Sequence, residues 1–200
     1  MKVKKRNFDV KCRRYQYELA ITDFEVKDMF EHLIQRWFST KKTEYNEFIR
    51  ALLRNDVKYM NIFMNKVALT TFSYFDTGKK PSESEEPERF YHGFVLGLLI
   101  ELKKRYYVVS NRESGYGRYD VMLKPRDVKD QAYVLEFKVY SAEEEKNLQD
   151  AAAFALRQID EKQYDAELIS QGIAKEQIHH YGFAFQGKKV LIEKAENDIT

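Results

Sequence analysis

The feature that most restricts the fold of this chain is an abrupt change of hydrophobic period near residue 105. Upstream, apolar side chains recur at three- and four-residue spacing. Downstream, Tyr106 to Asn111, Arg118 to Leu123 and Ala132 to Val139 are short runs rich in β-branched and aromatic residues, divided by Gly115, Gly117 and Pro125. Three consecutive strands are predicted. Ala142 to Tyr164 returns to helical spacing, with Leu148, Ala152, Ala155, Leu156 and Ile159 on one face. Tyr181 to Phe185 and Lys189 to Ile192 then read as a hairpin about Gln186-Gly187. Ahead of the strands, Glu88 to Lys104 is expected to be a helix, with Pro87 near its first turn and Phe90, Phe94, Leu98 and Leu102 on one stripe. Gly93 and Gly97 are expected to give that helix a smooth face for close approach to a sheet. The resulting order, helix, three strands, helix, two strands, is that of an α/β domain.

Between Thr22 and Tyr74 the apolar positions predict about three more helices, with Asn55-Asp56 punctuating the gap before the third. The segment from Gly78 to Pro87 has no apolar residue and two prolines, which marks a surface connection. The expected division is therefore residues 1–85, an N-terminal strand and helical region, and residues 86–200, the α/β core. The first residues carry Lys2, Lys4, Lys5, Arg6, Lys11, Arg13 and Arg14, but no apolar run follows them, so they do not form a secretory signal. Val3, Phe8, Val10, Tyr15 and Tyr17 among the charges favour a solvated hairpin over a basic nucleic-acid arm.

A length of 200 residues with 44% hydrophobic content is enough for a full packed core. A net charge of +2 neither demands nor excludes a polyanionic partner, so nucleic-acid affinity would have to come from local patches. The single cysteine, Cys12, has no internal disulfide partner, and no Cys/His cluster has zinc-site spacing. A reducing compartment, the cytoplasm, is expected, with no membrane association.

Alternation along the third strand puts Val134, Glu136 and Lys138 on one face. In the preceding strand it groups Arg118, Asp120 and Met122. If the two strands pair through the loop from Pro125 to Gln131, Asp120 lies beside Glu136. Two neighbouring carboxylates repel, and a hard divalent cation relieves that repulsion; Mg²⁺ is expected, with Mn²⁺ able to substitute. An adjacent ammonium suits hydrolysis, because Lys138 can orient a water or neutralise charge growing on a phosphoryl group. Taken alone, Glu-x-Lys on a strand fits a polar, solvent-facing edge equally well.

The runs Gly117-Arg-Tyr-Asp120, Leu135-Glu-Phe-Lys-Val139 and Ala155-Leu-Arg-Gln-Ile159, with Lys162 and Tyr164, resemble the PD-(D/E)XK nuclease superfamily. The stretches from Pro87 to Gly97 and from Ser110 to Asp120 are similar to the nuclease-like domain found C-terminal to an AAA-ATPase-like domain in bacterial proteins. The resemblance implies a restriction-endonuclease-like α-β-β-β-α-β core with an N-terminal helical extension. It further implies a metal-dependent nuclease, with DNA as the favoured substrate. Asp120, Glu136 and Lys138 would be its catalytic centre, and Asp120, Glu136 and Glu88 its metal ligands. Gln158 matches a helix glutamine of RecB-like members, and Tyr164 a tyrosine further on. Tyr119 stands where the family name has proline.

Other residues carry weaker expectations. His92 lies four residues after Glu88 on one helical face and is a candidate phosphate contact, as are Arg112, Arg118, Tyr119 and Tyr164. Glu88 and His92 fit a capping carboxylate and a hydrogen-bonded histidine equally well. His179 and His180 read as structural. Lys103, Lys104, Arg105, Lys124, Arg126, Lys188 and Lys189 would border a phosphate track if they converge. The competing function is a catalytically inactive nuclease-fold module that serves nucleic-acid binding, regulation or self-association, including a homodimer, for an upstream ATPase domain. No Gly-x-x-x-x-Gly-Lys-Ser/Thr motif is present, so nucleotide hydrolysis is not expected, and the chain reads as the C-terminal portion of a longer protein.

Overall fold

A computed structural model describes residues 2–9, 14–20, 42–72 and 85–195, with side chains described at 47–70, 72 and 90–195. Helices expected between residues 22 and 41 lie outside the described residues. The chain forms two compact units, Met1–Tyr45 and Asn46–Thr200. The first contains an antiparallel strand pair, β1 (Lys2–Asp9) and β2 (Arg14–Ala20), with a register irregularity between Val3 and Lys5.

The helix α1 (Lys42–Leu53), most of which belongs to the second unit, and α2 (Val57–Thr71) are separated by Asn55, whose φ of 57° turns the chain, and by Asp56, whose carboxylate caps α2 by accepting the Tyr59 N–H at 2.9 Å. Asn61 and Asn65 of α2 each clasp the backbone of the last strand. Asn61 Oδ1 accepts the Ile192 N–H at 2.8 Å and Asn65 Nδ2 donates to the Val190 carbonyl at 2.7 Å. These amides satisfy an edge strand that would otherwise present unpaired groups.

The remaining elements are α3 (Glu85–Leu99), a 3₁₀ turn (Ile100–Lys104), β3 (Tyr106–Ser114), β4 (Gly117–Pro125), β5 (Ala132–Val139), α4 (Leu148–Glu161), α5 (Ala166–Ser170), a 3₁₀ turn (Lys175–Gln177), β6 (Ile178–Gln186) and β7 (Lys189–Lys194). The five strands form one sheet in the order β3-β4-β5-β6-β7. Only β5 and β6 run parallel, and α4 and α5 lie in the connection between them. The order of elements is the one the change of period predicts.

The sheet is covered on both faces. On one, Tyr91 of α3 stacks on Phe185 with centroids 4.2 Å apart, next to Phe137 and Phe183. On the other, Met122, Val134 and Ile178 pack with Ile159 of α4, and Ala151 and Ala152 pack on Ala184. Gly182 makes the second contact this close, since a Cβ there would stand 2.3 Å from the Ala152 carbonyl oxygen. Gly93, by contrast, meets nothing within 4 Å, so no close approach is made at that glycine of α3.

The helix expected from Ala142 begins at Leu148. Asn147 caps it by accepting the Asp150 N–H at 2.9 Å, and the preceding residues fold into a turn in which Glu145 accepts the Ser141 N–H at 2.7 Å. At the other end Gln163, with φ 52°, stops the helix, and the Tyr164 N–H returns to the Ile159 carbonyl at 3.2 Å. This reversal brings Tyr164 back against β4. The β3–β4 hairpin docks on the same turn: the Tyr116 N–H donates to the Lys162 carbonyl at 2.7 Å and Ser114 Oγ to the Tyr164 carbonyl at 2.7 Å.

Candidate active site

The β4–β5 ladder pairs Leu123 with Tyr133, Met122 with Val134 and Val121 with Leu135. Continued by one residue, the register sets Asp120 opposite Glu136, and there side chains take over from the ladder. Asp120 Oδ2 accepts the Phe137 N–H at 2.8 Å, and Glu136 Oε2 accepts the Asp120 N–H at 3.3 Å. The two carboxylates therefore prise the strand ends apart while satisfying the amides they expose. On the neighbouring strand, Asn111 stands opposite Asp120 with φ 52°, a left-handed residue that breaks the alternation of β3 where β4 carries the aspartate.

Glu136 is 4% exposed, yet its second oxygen is also engaged, by Gln158 Nε2 from α4. Gln158 Nε2 lies 3.3 Å from Tyr164 Oη, which donates to the Arg118 carbonyl at 2.9 Å. A chain of contacts thus runs from the backbone of β4 through Tyr164 and Gln158 to the Glu136 carboxylate. Burial pushes the Tyr164 hydroxyl above its usual pKa, and the charges of Glu136 and Asp120 act in the same direction, so it is a neutral donor here.

Lys138 lies two residues beyond Glu136 and on the same face. Its Nζ donates to Glu144 at 3.0 Å and stands 3.7 Å from Glu145, both in the turn before α4, and 4.8 Å from the centre of the Phe154 ring. The turn that shortened the expected helix is thus the segment that holds the lysine.

His92 is not brought to this face. It packs edge-on against Phe137 across the sheet, with Nε2 2.8 Å from Ser110 Oγ and Nδ1 3.3 Å from Asn111 Nδ2. Burial lowers its pKa, opposed by a hydrogen bond with the backbone of Asp120, so it is neutral and touches the strand that carries the aspartate, not the solvent. Glu88 is in the first turns of α3, and its side chain lies outside the described residues.

Arg112 and Arg118 are exposed on the β3–β4 hairpin, where Glu113 pairs with Arg118 in register. Tyr119 is fully buried against Tyr164, and burial, with Glu167 nearby, pushes its hydroxyl pKa up to about 12. The seven other basic positions do not form one track. Arg105 is held by both oxygens of Asp130, Lys124 by Glu167 at 2.8 Å, and Arg126 lies over the Tyr107 ring, all toward one end of the strands. Lys188 and Lys189 are at the β6–β7 turn, toward the other. His179 and His180 are structural: His179 is buried beside Asn55, and His180 bonds Asp165 at 2.7 Å.

Two carboxylates on neighbouring strands and the half-buried Gln158 amide behind one of them form the polar centre of the sheet. The model for the PD-(D/E)XK nuclease superfamily matches residues 86–195. The chain belongs to this superfamily. The comparison with curated proteins finds no match. The matched segment begins at α3 and ends with β7, so it contains the whole five-stranded sheet and both helices that flank Asp120 and Glu136. This membership supports a nuclease-type function. Sequence reading had no signal for the Glu144–Glu145 turn, because Ala142 to Lys146 continues the helical pattern. Phe154, an aromatic between alanines on α4, lines the cleft beside this turn.

Among the described residues no group of three or more His, Cys, Asp or Glu is clustered to hold a metal. The Asp120 and Glu136 pair still fits one class of ion. Mg²⁺ binds through one or two carboxylates and keeps several waters, whereas a tetrahedral zinc site needs more protein donors. No helix among the described residues is long and apolar enough to cross a membrane.

Proposed function

We propose that this chain is a metal-dependent nuclease that hydrolyses phosphodiester bonds in DNA, with Asp120 and Glu136 as ligands of Mg²⁺ and Lys138 as the charge-stabilising residue. The observation that carries this reading is the meeting of Asp120 and Glu136 where the β4–β5 ladder stops, with Lys138 two residues further along the same face. Glu88 is a third candidate ligand.

A bound Mg²⁺ would polarise the phosphoryl group and lower the pKa of a coordinated water. The other contributions come from the chain. Gln158 fixes the rotation of the Glu136 carboxylate, and the Phe137 N–H fixes that of Asp120, so the donors are oriented before any ion arrives. Lys138 can move its ammonium from Glu144 to a phosphate oxygen, because the pair is solvent-accessible and exposed pairs of this kind are held by at most about 1 kcal/mol. There it would offset negative charge that grows on phosphorus oxygens as water attacks and the P–O bond breaks. Arg112 and Arg118, exposed on the hairpin beside Asp120, are the candidate contacts for flanking phosphates.

The test is cleavage of labelled DNA and RNA, single and double stranded, in Mg²⁺ or Mn²⁺ by the parent and by Asp120→Ala. Metal-dependent cleavage of DNA by the parent, lost in the variant, is the expected result. A parent that cuts nothing under any of these conditions would favour a non-catalytic nucleic-acid-binding module.

A further inference from the structure

Phe154 sits on α4 beside Ala153 and Ala155 with 41% of its surface exposed, although two turns of the same helix are buried through alanines. Its ring forms one wall of a cleft of about 770 Å³. Lys138 Nζ lies 4.8 Å from the ring centre and Arg157 Cζ 5.7 Å, so two cations flank it. Around the ring the cleft has Lys138, Lys146 and Arg157 against Glu144, Glu145 and Asp150.

We infer that this cleft is a binding site for an unpaired nucleobase, stacked on Phe154, next to the phosphodiester bond to be cut. The inference rests on the nuclease reading, since Lys138 belongs both to the cleft and to the proposed centre. Three observations select an unpaired base over other parts of a nucleic acid. The half-exposed Phe154 ring offers a base a stacking partner once the Lys138 or Arg157 cation over it swings aside, and only a base out of a duplex offers its own face. The lining charge is balanced, three against three, whereas a groove that follows duplex phosphates needs an excess of cations. The carboxylates also suit the exocyclic amino groups on a base edge. Arg157 grips the adjoining phosphate, and the cleft volume lies within the range of ordinary small-ligand pockets, ample for one nucleotide.

The test is fluorescence anisotropy in EDTA with the intact chain, using labelled single-stranded DNA and RNA of mixed sequence and a blunt DNA duplex. Parent, Phe154→Ala and Phe154→Trp are compared; the position is exposed, so folding is checked by circular dichroism and expected to be retained. Phe154→Ala should weaken binding to one or both single strands by about five- to hundredfold, the scale of one base–aromatic stack. Phe154→Trp should bind as the parent does, and duplex binding should be unchanged by either. The polymer that loses more affinity identifies the natural source of the base. Equal single-strand binding by parent and Phe154→Ala, equal losses on single strand and duplex, or no single-strand binding by the parent would each overturn the inference. Metal-free binding is independent of cleavage. A Phe154-dependent binder that cuts nothing defeats the nuclease reading alone, and a nuclease indifferent to Phe154 defeats this inference alone.

Discussion

Glu136 Oε2 accepts the Asp120 N–H at 3.3 Å at the point where the β4–β5 ladder ends, so the two carboxylates share one gap in the sheet. On the proposed metal-binding reading, two like charges beside one gap disfavour the metal-free fold, and an ion held by both would favour it. Mg²⁺ or Mn²⁺ should therefore raise the melting temperature of the parent, by a stabilisation of about 2.7 kcal/mol when free metal is a hundredfold above Kd. Glu136→Gln keeps the shape but replaces one of two accepting oxygens by a donor facing an N–H, so it should melt lower than the parent in EDTA by about 1–3 kcal/mol of stability and should lose most of the metal-dependent rise. A variant with the full rise would remove Glu136 from the ligand set.

Gln158 acts on the site through Glu136. Gln158→Leu leaves a Glu136 oxygen without its amide partner and should lower metal affinity or cleavage by about ten- to hundredfold. Tyr164→Phe removes the bond to the Arg118 carbonyl and should cost about 1 kcal/mol of stability with a smaller kinetic effect. Denaturant melts beside kinetics separate the two. If Gln158→Leu changes stability but neither metal affinity nor cleavage, the amide is only structural.

The strands and most of their faces are legible in the sequence because a two-residue period leaves little choice along a strand, but Tyr119, which alternation sets opposite Met122, packs with Met122, Val134 and Tyr164 instead. Gln158 and Tyr164 are readable only through family resemblance. Their meeting depends on the left-handed Gln163, and nothing in a glutamine announces that conformation. His92, for which spacing leaves a phosphate contact and a hydrogen-bonded histidine equally open, makes the second kind of contact, with Ser110 and Asn111. Its spacing from Glu88 is right for a shared helical face, but α3 covers the side of the sheet that carries Phe137, not Glu136. Phe154 is visible as an aromatic on a helix, while its exposure is a property of the fold.

Acid should weaken the fold through His179. Burial, with Lys194 and His180 nearby, lowers its pKa from 6.5 to about 4. The unfolded chain therefore takes up the proton first as pH falls. The contribution is complete above pH 6.5 and is lost progressively between 6.5 and about 4, amounting to at most about 3 kcal/mol. His179→Gln should flatten the decline in melting temperature between pH 7 and 5 relative to the parent. Parallel declines would show that carboxylates alone set the acid limit.

Gly115 fastens the β3–β4 hairpin to the turn that carries Tyr164. Its φ is 59°, and an added Cβ would stand 2.2 Å from the Lys162 carbonyl oxygen. Gly115→Ala should destabilise by about 2 kcal/mol or more, combining backbone strain with displacement of the turn. Gly187→Ala has a similar φ of 57° but open space, and should cost only about 1 kcal/mol. Urea unfolding of both variants gives the comparison, and equal losses would mean that the docking contact contributes nothing.

The most direct test of the nuclease account is single-turnover cleavage by Lys138→Met beside a metal titration of the same protein. The substitution leaves Asp120 and Glu136 in place and removes the ammonium that now rests on Glu144. Metal affinity should be unchanged or slightly higher, because a nearby positive charge no longer opposes the cation. Cleavage should fall by about two orders of magnitude or more. A Lys138→Met protein that cuts DNA as fast as its parent would contradict the assignment of Lys138 and, with it, the proposed centre.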